Sequence, residues 1–179
     1  YLKKILLSKA FYSVITGTGK YIPTRRIENK DFLTKDFFDI NGNKITKPNQ
    51  HTIDKLQEIT TIKERRYVTD DLLTSDIAFM AAEDAIISSK IDRETLDYII
   101  IAHNFGDIKS NGLVQLNMLP TLAAKVKHKL GIKNPETVAY DLPFGCPGWL
   151  QGMIQADYFI KSGDAKKILV IGAEVLSRV

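Results

Sequence analysis

Unbroken apolar runs of strand length recur along this chain, with stripes at helical spacing between them. Tyr98-Ile99-Ile100-Ile101-Ala102 and Ile168-Leu169-Val170-Ile171-Gly172 are continuous apolar runs. Such runs fit strands covered on both faces, as in parallel sheets. Thr137-Val138-Ala139-Tyr140 is a shorter one that ends at Asp141 and reads as a third strand. Phe11-Tyr12-Ser13-Val14-Ile15 reads as a fourth from its β-branched and aromatic content. The Gly17-Thr18-Gly19 turn that follows is not a dinucleotide fingerprint, because no third glycine stands at Ile22 and no helix opens there.

The helical stripes fall between these strands. Ile77, Met80, Ala81, Ala85 and Ile86 share one face of a helix ending near Ser89. Thr74 or Ser75 is its expected cap, with Asp76 in the first turn. Pro120 is expected to open a helix that runs to Leu130 and stops at Gly131. A third helix is expected over 147–161, with Leu150, Met153, Ile154 and Phe159 as apolar positions and Gly163 as its stop. Apolar residues surround much of its circumference, which predicts burial with protein on both sides. Earlier, residues 28–38 carry a short amphipathic pattern with Phe32, Leu33, Phe37 and Phe38. Asn41-Gly42, between Ile40 and Ile45, predicts a hairpin turn. Pro48 and Asn49 mark a loop, and residues 53–60 a short helix. Strands alternating with helices define an α/β class with a largely parallel sheet. There is no internal repeat and no low-complexity tract.

The composition narrows the function. A length of 179 residues suits one domain with a sizeable core, and 44% hydrophobic with 26% charged residues is ordinary globular usage. No apolar run approaches the roughly 18 residues of a membrane span. The net charge of +4 is mild, and aromatic residues do not interleave a basic stripe, so nucleic acid is not an expected partner. Lys125, Lys127, His128, Lys129 and Lys133 cluster on or after one helix; they read as a solvated face, with docking of an acidic carrier as the alternative. Tyr1 to Ala10, with Lys3, Lys4 and Lys9, reads as an extension or added tail ahead of a domain spanning 11–179; it lacks the long apolar core of a signal peptide. One cysteine forms no internal disulfide, so a reducing, cytoplasmic setting is expected. The scattered histidines and lone cysteine show no metal-ligand spacing, and no metal or cofactor is expected.

That cysteine is the most informative residue. Cys146 stands in Asp141-Leu142-Pro143-Phe144-Gly145-Cys146-Pro147-Gly148-Trp149, at a sharp strand-to-helix turn. Proline suits the first helical position because its missing N–H needs no partner there. The positive end of the helix dipole favours thiolate, the nucleophilic form. Gly145 and Gly148 are expected to leave room for a substrate at the sulfur. A free cysteine also serves often as a small buried hydrophobe, so the turn context carries the choice. His103 follows a strand and reads as a structural histidine or a pocket edge; His51 and His128 read as surface residues. Glu174 and Asp141, at strand ends, read chiefly as structural hydrogen-bonding groups.

Four segments together resemble the N-terminal half of the β-ketoacyl-acyl-carrier-protein synthase III group, in the thiolase-like superfamily. Ile15-Thr16-Gly17-Thr18-Gly19-Lys20-Tyr21-Ile22-Pro23 is similar to the family's opening strand and turn. Thr61-Ile62-Lys63-Glu64-Arg65-Arg66 resembles its Gly-Ile-Arg-Glu-Arg segment. Leu119-Pro120 through Leu130-Gly131-Ile132 resembles the helix before the active-site strand. Gly145-Cys146-Pro147-Gly148-Trp149, then Gly163 and Gly172-Ala173-Glu174, resembles the nucleophile elbow, its helix and the next strand.

The resemblance implies a layered, mostly parallel sheet with a buried nucleophile helix, as one half of a two-half fold. It implies acyl transfer from a coenzyme A or carrier-protein thioester to Cys146, then decarboxylative condensation with malonyl on an acyl carrier protein, in fatty acid or related lipid or polyketide biosynthesis. It implies a homodimer in which Leu119 helps line the acyl tunnel of the neighbouring subunit. The family's catalytic histidine, asparagine and second oxyanion donor lie in a further half, expected to be absent from this sequence, so the chain alone is expected to be inactive. Departures bear on specificity. Pro147 replaces what is usually a small residue, often alanine, and Leu56 falls where the family stacks coenzyme A's adenine on an aromatic ring, which favours a carrier-bound donor. Residues 36–50 are longer than the common pattern. Two alternatives stand beside the condensing enzyme: a non-catalytic acyl-carrier-binding or relic half-domain, and a cysteine hydrolase pairing Cys146 with His103.

Overall fold

The structure is a computed structural model that describes residues 12–110 and 114–179. The expected tail 1–10 and Phe11 lie outside the described residues. The chain forms two compact units, one of Ile22–Thr69 and one of Asp70–Val179 with the described part of Tyr1–Tyr21.

In the smaller unit, β1 (Arg25–Glu28) leads into a 3-10 turn at Asn29–Phe32, then α1 (Asn49–Thr60) and β2 (Glu64–Tyr67). β1 and β2 pair antiparallel, Arg25 opposite Tyr67 and Glu28 opposite Glu64. A charge pair crosses this ribbon: Arg26 Nε lies 2.6 Å from Glu64 Oε2. The short helix expected at 53–60 starts earlier, at Asn49, because the Asn49 amide donates to the Leu33 and Lys35 carbonyls and anchors the first turn. The Asn-Gly turn forms: Phe38 bridges Lys44, and the Asp39 carboxylate accepts from the Asn41 and Asn43 N–H groups.

The larger unit contains α2 (Thr74–Ser89), β3 (Tyr98–His103), the hairpin of β4 (Asp107–Ser110) and β5 (Val114–Asn117), α3 (Leu122–Lys129), β6 (Val138–Pro143), α4 (Gly148–Ser162) and β7 (Ile168–Gly172). Its sheet runs β6-β3-β7, all parallel, with Ile99 beside Ala139 and Leu169. Ile99, Ile101, Leu169 and Ile171 bury one face against Ala78, Ala82 and Ile86 of α2 and Leu122, Ala123 and Val126 of α3. On the other face, α4 lies close over Ile100 and Val170. Alternation along each strand thus feeds two helical layers from one apolar run.

Four expectations change. Tyr12 to Lys20 forms no strand; Lys20 N donates to Asp84, and Ser13 Oγ to Asp157. The segment is held by helix side chains and not by a ladder, and together with β7, Trp149 and Met153 it lines a groove of about 610 Å³. The α2 cap is neither Thr74 nor Ser75: Asp76 accepts from Leu73 N, while Ser75 donates through N and Oγ to the buried Asp107. Finally, α4 is covered on one side, by way of its small residues Gly148, Gly152 and Ala156, while Trp149, Leu150, Ile154 and Tyr158 are exposed. α3 starts at Leu122, capped by Thr121 Oγ1, two residues after Pro120.

Candidate active site

β6 ends at Pro143, and the chain reverses through Phe144 to Pro147 before α4 begins at Gly148. Gly145 sits at φ +78, a left-handed conformation that residues with a Cβ adopt at a cost. The turn is closed by Gly148 N donating to Gly145 O at 3.0 Å. Pro147 occupies the cap position, one residue outside the expected helix start. Cys146, one residue further out, is exposed. Its backbone N–H donates to no protein acceptor among the described residues. An exposed thiol and a backbone N–H with no protein acceptor among the described residues therefore coincide at one residue, beside the N-terminus of a 15-residue helix.

The two glycines do different things. A Cβ on Gly145 meets nothing within 4 Å, so that side of the turn is open. A Cβ on Gly148 would stand 3.0 Å from Ala102 Cβ, and Gly148 is buried. The expectation that Gly148 leaves room for substrate is thus corrected: it lets α4 approach β3.

Five residues before Cys146, Asp141 is the hub of a buried polar cluster, its side chain 8% exposed. Its carboxylate accepts from Leu122 N at 2.7 Å and Ala123 N at 2.8 Å, both in the first turn of α3. It also contacts His103 Nε2 at 2.8 Å. The other ring nitrogen, Nδ1, accepts from Gly106 N at 3.0 Å. An acceptor at Nδ1 puts the imidazole proton on Nε2, which donates to Asp141. Burial pushes the Asp141 carboxyl up, but the His103 and two backbone donors outweigh it and hold the pKa below the ordinary value.

This geometry excludes a Cys146–His103 pair. The His103 side chain is fully enclosed and both ring nitrogens are occupied. His51 and His128 are exposed, as expected. Glu174 is structural, accepting from Asn104 N and Nδ2 at 2.7 and 2.8 Å. The lysine cluster is largely committed within the unit: Lys125 to Asp107 and Asn117, Lys127 to Thr137 O, Lys129 to Asp76. Leu119 is 76% exposed beside the start of α3, and Leu56 is partly exposed on α1. The Asp141–His103 couple is what sequence reasoning missed; its only sequence signal is a polar residue ending one apolar strand, His103, and another inside the next, Asp141.

No helix among the described residues is long and apolar enough to cross a membrane.

Layered helices on a parallel sheet, with a cysteine at the turn after β6, define the thiolase-like fold, and this chain corresponds to one half of it. The chain is related to 3-oxoacyl-[acyl-carrier-protein] synthase III: the model of that family matches residues 140–179, the stretch holding the cysteine turn, α4 and β7. The β-ketoacyl-[acyl carrier protein] synthase III of Thermus thermophilus is 34% identical over 93% of this chain and 44% of its own, with a TM-score of 0.72. The 3-oxoacyl-[acyl-carrier-protein] synthase III of Aquifex aeolicus VF5 is 29% identical over 94% of this chain and 46% of its own, with a TM-score of 0.69. The priming β-ketosynthase of the R1128 polyketide pathway shares the fold at 20% identity, with a TM-score of 0.74 over 99% of this chain and 46% of its own. The chain thus spans somewhat under half the length of these solved structures.

Proposed function

We propose that this protein is a decarboxylating condensing enzyme of fatty acid or polyketide biosynthesis, with Cys146 as its acyl-accepting nucleophile. The observation that carries this is the exposed Cys146 at the strand-to-helix turn, with its own N–H unpaired among the described residues. The thiolate attacks the carbonyl of an acyl thioester, and the Cys146 N–H donates to the oxygen as it gains charge. The donor's thiol leaves with the proton, and the acyl group stays on Cys146. A malonyl thioester on an acyl carrier then loses carbon dioxide. Its carbanion attacks the acyl-enzyme, the new carbon–carbon bond forms, and the Cys146 thiolate is released. Dividing the transfer in two replaces one hard step by two easier ones.

Pro147 supplies no N–H next to the sulfur, so Cys146 N is the proposed donor at this turn. Leu56, where an aromatic ring would stack on adenine, favours acyl carrier protein over coenzyme A as donor. Leu119 is the proposed wall of the acyl site across a homodimer interface, and its exposure supports that role. Gly145 keeps one side of the turn clear for the incoming carbonyl.

The test is condensation by the native protein, given malonyl-acyl carrier protein and an acyl group on either coenzyme A or the carrier. The expected products are the 3-oxoacyl carrier and carbon dioxide, none of them with Cys146→Ala. Carrier binding without any product from the native protein would contradict the proposal and favour a non-catalytic carrier-binding role.

A further inference from the structure

Two backbone edges border one apolar groove of the larger unit, and neither is paired across it. β7 pairs with β3 on one side only. In that parallel ladder Ala173 N donates to Ala102 O, and Ile168, Val170 and Gly172 stand opposite Tyr98, Ile100 and Ala102. Alternate residues of a strand turn their backbone groups to opposite edges. Leu169 and Ile171 therefore bond to β3, while Ile168, Val170 and Gly172 direct N–H and C=O outward. These outward groups meet no protein partner among the described residues. The other edge is the segment 13–19. It is tied down at its ends, by Ser13 Oγ to Asp157 and by Lys20 N to Asp84. A Cβ on Gly17 would stand 2.6 Å from Ser89 Cβ, so the segment's backbone presses on α2. From residue 13 to residue 19, no backbone N–H or C=O is hydrogen-bonded among the described residues. Between the two edges lies the groove of about 610 Å³, walled by Ala81 and Ala85 of α2 and by Met153, Ala156 and Ile160 of α4.

We infer that this groove is a strand acceptor: one extended apolar segment lies in it, pairs with the outward edge of β7 and turns its other edge to residues 13–19. A row of backbone donors and acceptors on each side is matched by a strand, which carries the same groups along both of its edges. The outward run of β7 is five residues long, an ordinary strand length. Helices wall the groove on both sides, so the segment is apolar on both faces, as β3 and β7 are. The chain spans under half the length of its solved relatives, so the fold holds further polypeptide, and the segment is assigned to that polypeptide. A second copy of this chain fits less well, because its own strands of that kind, β3 and β7, are already built into its sheet. A Cβ on Gly172 would stand 3.2 Å from Trp149 Cβ, so a strand held at Gly172 also braces the first turn of α4. The inference stands apart from the reaction proposed above.

The test compares amide hydrogen exchange, resolved to single residues by mass spectrometry, in two samples at sub-micromolar concentration. One is the 179-residue chain. The other is the protein purified from its native source, with its intact mass recorded. In the 179-residue chain, the amides of Ile168, Val170 and Gly172 are expected to exchange freely, while those of Leu169 and Ile171 are protected. In the native protein the three outward amides are expected to slow by about 100-fold or more, together with amides among residues 13–19. Ala81→Phe puts a ring into the groove. In the native-length protein it is expected to return the outward amides to within about three-fold of their values in the 179-residue chain, with Leu169 and Ile171 still protected as the sign of an intact sheet. Outward amides that exchange equally fast in both samples overturn the inference. So does a native protein whose mass equals that of the 179-residue chain. Protection that grows with concentration in the 179-residue chain also overturns it, because a second copy then fills the groove. Each of these outcomes leaves the acyl-transfer reading untouched, since no thioester is present.

Discussion

Cys146 and Asp141 divide chemistry from construction. Cys146 is exposed and makes no side-chain hydrogen bond among the described residues, so Cys146→Ala is expected to move stability by no more than about 0.5 kcal/mol while abolishing acyl uptake. Thermal melting and intact mass measured on the same variant check both halves. Asp141 behaves oppositely. Its pKa is lowered in the folded state, so its contribution is present above the unfolded carboxylate value of about 3.9 and is lost as pH falls through the lower folded value. Asp141→Asn is expected to cost about 1.5–3 kcal/mol at neutral pH and to flatten the acid limb of the stability curve below about pH 4. Urea titrations at pH 7 and pH 3 give the two numbers; an unchanged acid limb would show that the carboxylate is not the group being titrated.

At the scale of elements, the three sheet strands and three helices of the larger unit were legible because their signals are local. Tyr98–Ala102 and Ile168–Gly172 are apolar at every position, and Gly131 and Gly163 stop their helices at positive φ. β1 and β2 were not, because Arg25-Arg26-Ile27-Glu28 and Glu64-Arg65-Arg66-Tyr67 pair through cross-strand charge and backbone bonds, without apolar alternation. The β4–β5 hairpin likewise carries little periodicity. The Cys146 turn was readable from its own glycines and prolines; the Asp141–His103 couple was not, since its partners stand 38 residues apart and meet only across the sheet. The α4 helix was half read. Its apolar surround was plain, but which side packs is decided by Gly148, Gly152 and Ala156. A Cβ on Gly152 would stand 2.9 Å from Val170 Cγ1, on a stiff branched side chain. Gly152→Ala is therefore expected to lower the melting temperature, because overpacking of about 1–3 kcal/mol exceeds the helix-propensity gain of about 1 kcal/mol. A rise in melting temperature would mean that α4 sits looser on the sheet than this geometry requires.

At the scale of the molecule, the larger unit presents the uncovered side of α4, with Trp149, Leu150, Ile154 and Tyr158 exposed. An apolar helix face of this kind favours association. The 179-residue chain is expected to self-associate at micromolar concentration in sedimentation velocity, and Leu150→Lys to shift it toward monomer. A clean monomer at tens of micromolar would contradict this. The same scale holds the link from turn to reaction: a thiol at the mouth of a strand-to-helix turn matters only if an acyl group transfers to it. The measurement that decides this is intact mass of the native protein after exposure to an acyl-carrier or acyl-coenzyme A thioester. A gain of one acyl mass in the native protein, mapped to Cys146 and absent from Cys146→Ala, is the predicted result. A native protein that keeps its unmodified mass with both donors, while iodoacetamide still reaches Cys146, would contradict the acyl-transfer role.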